Sequence, residues 1–175
     1  MYLSNKDLSK AIQNDLKAAG VPRAAYSIRV KNAGYSTAIN IEVKDLSIRL
    51  EKVENIANKR ESIRYDEYCQ EILEGGNTFV NVRYDYDALN AARAPFMEKA
   101  KELTSNPPAK CSGVTIMESK GKRLIFMYSG PGHVQNSLIV FDDKGRSMEY
   151  GRYSAYNEYV ISEGMAIFSA TGRLN

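Results

Sequence analysis

The chain has 175 residues, 43% hydrophobic and 26% charged, proportions that let a globular protein bury a core and exclude wholesale disorder. Its net charge of +3 is too mild for a nucleic-acid binder recognisable from composition, and the distant Cys69 and Cys111 exclude a spaced disulfide or zinc framework. No apolar run approaches the ~18 residues of a bilayer span, and the polar start Met1 to Asp7 lacks a signal core, so a cytoplasmic protein, in its own or a host bacterial cell, is expected.

A first helix is marked by Ser4 as cap, Asp7 three residues on, and Leu8, Ile12 and Leu16 on one face; Gly20 and Pro22 end it. Two strands follow. Tyr26, Ile28 and Val30 alternate with Ser27, Arg29 and Lys31, and after Asn32-Ala33-Gly34, Ile39, Ile41 and Val43 alternate with Asn40, Glu42 and Lys44. Period-two patterning buries one face and wets the other, so a hairpin backed by helix 1 is expected. Helical spacing returns from Asp45 to Arg60, and Ser62 to Glu74 reads as a loop turning into a short helix stopped by Gly75-Gly76. A third strand carries Val80, Val82, Tyr84 and Tyr86, and Asp87 caps a helix with Leu89, Ala92, Phe96, Ala100 and Leu103 that Pro95 kinks.

The paired prolines of residues 104–110 mark a linker between an α+β domain, 1–103, and a β-rich domain, 111–175. In the latter, a hairpin turns at Ser119 to Lys122 and another follows Leu138 to Phe141. Strands are expected at Tyr159 to Ile161 and Met165 to Phe168. The overall expectation is an α+β fold: an N-terminal helix-backed antiparallel sheet, then a mainly β domain.

The search for chemistry yields no catalytic constellation. His133, the one histidine, lies in a Gly-Pro-Gly turn without a nucleophile elbow. Glu118-Ser119-Lys120 matches the acidic-x-lysine element of nucleases, but so do Glu42-Val43-Lys44 and Asp15-Leu16-Lys17, and no partner carboxylate presents itself. The chain is therefore expected to bind and not to turn over, with no catalytic residue, cofactor or metal. Two surfaces are candidates. One is the wet side of the early strands, with Arg29, Lys31, Lys44 and Arg83 placed to meet phosphate or an acidic protein. The other is a ridge of Tyr150, Tyr153, Tyr156 and Tyr159, every third residue, with Arg146 and Arg152 adding charge; its partner-binding candidates are Tyr150, Arg152 and Tyr153.

The succession of helix 1, Tyr26-Ser27-Ile28-Arg29-Val30, a polar turn, Ile39-Asn40-Ile41-Glu42-Val43, a helix and Val80-Asn81-Val82-Arg83-Tyr84 resembles a small α+β domain of phage and plasmid proteins, the large polyvalent protein-associated domains. It is also similar to the core of anti-CRISPR proteins that inhibit type II effector nucleases. The resemblance covers about residues 4–90. It implies a mobile-element counter-defence protein whose partner is a protein, an RNA-guided effector complex. A nucleic-acid-binding accessory protein of a phage or plasmid is the alternative; no membrane partner is implied, and the oligomeric state stays open.

Overall fold

A computed structural model describes residues 4–131 and 136–174, with the side chains of residues 33 and 149–152 outside the description. The fold is α+β, in two units, Met1–Asp85 and Tyr86–Asn175.

The first unit runs α1 (Asn5–Ala18), β1 (Tyr26–Ala33), β2 (Ser36–Val43), α2 (Leu50–Ala57) and β3 (Thr78–Tyr84). Helix α1 starts where its cap predicts: Asp7 N donates to Ser4 Oγ at 3.2 Å, and Leu8, Ile12 and Leu16 form the buried stripe. The β1–β2 turn has two residues, and Gly34 supplies the positive φ of +60° that its first position requires. Helix α2 begins at Leu50, later than its spacing suggests, because Asp45 Oδ1 accepts from Ser47 N at 2.9 Å and holds that stretch in a turn. Ile39, Ile41 and Val43 of β2 are fully buried on the helix side, where Val53 and Ala57 of α2 are also buried.

The strand order is β1-β2-β3, and the sheet is mixed: β1 and β2 are antiparallel, while β2 and β3 are parallel. The expected hairpin of β1 and β2 is antiparallel, and β3 joins it in the parallel sense. The physical reason is the connection, since α2 and the segment before β3 give the chain the length it needs to cross back and start at the same end. Within that segment, residues 62–74 form no helix. They fold as an irregular hairpin, with Tyr65 bridged to Ile72 and Ser62 to Thr78, and Asp66 Oδ1 accepting from Tyr68 N (2.8 Å) and Cys69 N (3.0 Å) at its tip. Buried Asn77 secures its base, accepting from Arg64 N (2.8 Å) and donating to the Leu73 carbonyl (2.7 Å). The outer edge of β3 is occupied where it starts: Ser62 exchanges two backbone hydrogen bonds with Thr78, and a Glu61 carboxylate oxygen accepts from Val80 N at 3.3 Å.

The second unit runs α3 (Tyr86–Arg93), α4 (Met97–Ser105), β4 (Ser112–Ser119), β5 (Lys122–Tyr128), β6 (Ser137–Phe141), β7 (Ser147–Ser154) and α5 (Glu158–Thr171). Strand β3 stops at Tyr84, so Tyr86 opens α3 and Asp87 lies in its first turn; Pro95 separates α3 from α4 through a short 3-10 turn, as its missing N–H requires. The four strands form an antiparallel meander in chain order. Lys120 and Gly121, at φ of +51° and +70°, make the two-residue β4–β5 turn.

The strands expected at 159–161 and 165–168 are one helix, α5. Asn157 Oδ1 accepts from Val160 N at 3.0 Å at its start, and Gly172 in the left-handed region ends it. This helix is apolar nearly all round, so its sequence lacks the one-sided period of a surface helix and reads as two short buried runs. Ile161, Met165 and Phe168 pack with Leu124, Phe126, Leu138 and Val140 of the sheet and with Ala100 and Leu103 of α4 in one core. The linker expected at 104–110 thus falls inside the second unit: burial of Ala100 and Leu103 ties the helix before the prolines to the sheet after them.

Candidate binding surface

The alternation in β1, β2 and β3 sends one set of side chains toward the helices and the other outward. The pairing lines up the outward set in three cross-strand rows: Ser27, Glu42 and Arg83; Arg29, Asn40 and Asn81; Lys31, Ala38 and Phe79. Lys44 follows β2 and is exposed, as are Arg29, Lys31, Asn81 and Arg83. The structure therefore brings Arg29, Lys31 and Arg83 onto one sheet surface, with Lys44 just past the end of its central strand.

These cations are not equivalent. Arg83 Nη2 donates to Glu42 Oε1 at 2.8 Å, with the arginine side chain 63% exposed and the glutamate 18%. Ser27 Oγ donates to the other carboxylate oxygen at 3.3 Å. The bond from Arg83 holds the Glu42 carboxyl below the usual glutamate range; the Ser27 bond and the charges of Arg29 and Arg83 lower it further against a partial desolvation. Among the described residues, Arg29, Lys31 and Lys44 have no side-chain ion pair or hydrogen bond, although the charge of Arg29 acts on Glu42. Asn81 Nδ2 donates to Asn40 Oδ1 at 3.4 Å across the middle row.

The sign of the Glu42 effect is definite. A depressed folded pKa means that Glu42 adds stability in full above the unfolded value of about 4.3, and that this share is lost as pH falls through the lower folded value. Glu42→Gln is expected to remove that part of the acid-side decline, measured as the difference in unfolding midpoint between neutral pH and about pH 3. An unchanged decline would show that the Arg83 ion pair is not populated in solution.

The expected tyrosine ridge runs from β7 through a loop into α5. Tyr150 and Arg152 have side chains outside the description. Tyr153 packs half-buried against the second core, its hydroxyl donating to Glu163 Oε1 at 2.6 Å. The Tyr159 ring lies under the Arg93 guanidinium, 5.2 Å from its centroid, and Tyr156 is exposed.

His133 lies outside the described residues. Glu118, Lys120 and Asp143 line one open depression of about 430 Å3, but Lys120 Nζ donates to the Ala170 carbonyl at 2.6 Å and Lys122 Nζ to that of Gly172 at 3.2 Å. The two ammonium groups thus satisfy carbonyls at the C-terminus of α5, where the helix dipole favours positive charge. Burial, then the charges of Arg173 and Lys120, hold the Lys122 ammonium below the ordinary lysine range. Asp142 is a turn residue, accepting from Lys144 N and Arg146 N. No group of three or more His, Cys, Asp or Glu side chains able to hold a metal occurs among the described residues. No helix among them is long and apolar enough to cross a membrane.

Sequence reasoning found the cations through strict alternation. It missed the clamp of Glu42 on Arg83 and the place of Phe79 in the row of Lys31, across Ala38 from it, both of which depend on the parallel β2–β3 register. The alternation of Phe79 with buried-face Val80 was the available signal. Comparison of the chain with protein-family models, curated proteins and solved structures gives no match.

Proposed function

We propose that the chain acts by stoichiometric binding, as a phage or plasmid counter-defence protein of the anti-CRISPR type that engages an RNA-guided effector nuclease through the cationic sheet face of its first unit. The observation that supports this reading is the exposure of Arg29, Lys31, Lys44 and Arg83 over one surface, with Glu42 the carboxylate set among them. A surface of that charge speeds encounter with an anionic partner and fixes its orientation. The effector as partner follows from the resemblance of the helix-strand-strand-helix-strand succession.

The test is a cleavage assay with a purified type II effector, its guide and target DNA. Wild-type protein is expected to suppress cleavage with a break point near equimolar ratio. Arg29→Glu combined with Arg83→Glu is expected to weaken inhibition by about tenfold or more, since reversal turns attraction into like-charge repulsion. Circular dichroism should show the same fold in both proteins. Undiminished inhibition by the folded double variant rejects the surface, and full cleavage in the presence of wild-type protein rejects the effector as partner.

A further inference from the structure

We infer that the ligand of this sheet face is single-stranded nucleic acid, with Phe79 as the residue on which a base stacks. The inference rests on the reading of the face as an anion-binding surface and goes further by naming what supplies the anionic groups.

Three features of the face bear on the ligand. Alternate residues stand about 7 Å apart along a strand and neighbouring strands about 4.8 Å apart, so the three rows form a strip roughly 14 Å long and 10 Å wide. Cations lie along its flanks: Arg29 and Lys31 on β1, Arg83 on β3. The middle row holds two amides, Asn40 and Asn81, whose mutual hydrogen bond of 3.4 Å leaves other donors and acceptors free for a third group. At one end lies Phe79, half-buried, paired with Ala38, the smallest side chain in its row.

The combination sorts the candidates. An acidic protein surface would use the cations and leave the aromatic ring and the amide pair unexplained. A duplex keeps its base faces stacked inside and offers a flat sheet its phosphates alone. A single strand presents all three groups: phosphates for the flanking cations, base edges for the amides, and an open base face for the ring. The Glu42–Arg83 pair reduces the positive charge of the opposite end, so the strongest contacts are with Phe79, Lys31 and Arg29.

The experiment is fluorescence anisotropy of a labelled single-stranded oligonucleotide, as RNA and as DNA, and of the matching duplex, with the full chain at low and at near-physiological salt. Wild-type protein is expected to bind the single strand more tightly than the duplex. Phe79→Ala should weaken single-strand binding about tenfold while leaving the slope of log affinity against log salt unchanged, because stacking releases no counterions. Phe79→Leu, which keeps apolar bulk for packing but has no aromatic face, should lose the same amount, and Phe79→Tyr should retain affinity. Arg29→Glu should lower affinity and flatten the salt slope. Equal or tighter binding of the duplex, an undiminished Phe79→Leu variant, or no binding of single strands at low salt overturns the inference. If single strands fail to bind while charge reversal at Arg29 and Arg83 still relieves effector inhibition, the anionic partner is a protein surface and the reading of the face as an anion-binding site stands.

Discussion

Gly164→Val is expected to destabilise the protein by about 2–3 kcal/mol, seen as a lower denaturant midpoint with little change in slope. Gly164 sits mid-helix in α5, where a glycine ordinarily costs about 1 kcal/mol against alanine. Its φ is unexceptional, so conformational freedom does not explain it; close approach does. A Cβ built there would collide with Leu138 Cδ1 of β6 and lie 3.4 Å from Leu174 Cδ2 and 3.6 Å from Tyr153 Cδ1. Leu138 is fully buried, so it can yield only by displacing its neighbours in the core. Valine gains little helix propensity because of its branching at Cβ, so crowding decides the sign. A variant as stable as wild type would mean that α5 rides further from the sheet than the geometry has it.

Ile41→Ala is expected to cost about 3 kcal/mol, within the 2–5 kcal/mol typical of such truncations, by opening a cavity in the first core. Ile41 is fully buried in the middle strand, paired with Ile28 on one side and Val82 on the other. Neither neighbour can collapse into the gap without shifting a strand. Ile41→Val, which removes one methylene group, should cost only about 1 kcal/mol. Because Asn40 and Glu42 flank Ile41 on the opposite face, the alanine variant should also bind less well near its unfolding midpoint. Equal costs for both substitutions would show that the core repacks freely.

The elements legible from sequence were those whose pattern is local and one-sided. Ser4 and the four-residue spacing of Leu8, Ile12 and Leu16 specify α1 without reference to the rest of the chain. Strict alternation identified β1, β2 and β3 and with them the exposed cations. Helix α5 was hidden because burial on nearly every side erases the period; Asn157 and Gly172, its two caps, were the usable signs. The parallel pairing of β2 with β3 was hidden for a different reason, since register between segments some forty residues apart leaves no trace in either one. That register creates the Glu42–Arg83 pair and the Lys31, Ala38 and Phe79 row, so the detailed chemistry of the face was out of reach of pattern. The prolines of 104–110 misled because they mark a break in backbone regularity, whereas a unit boundary is set by which core the side chains share, and Leu103 shares the second.

The occupied start of β3 limits how this protein can associate. Of the N–H groups that point away from β2, those of Thr78 and Val80 are already engaged, by the Ser62 carbonyl and the Glu61 carboxylate. An incoming extended peptide, or an exposed strand of a second copy, therefore finds no run of vacant donors there on which to zip. Strand addition along that margin is discouraged.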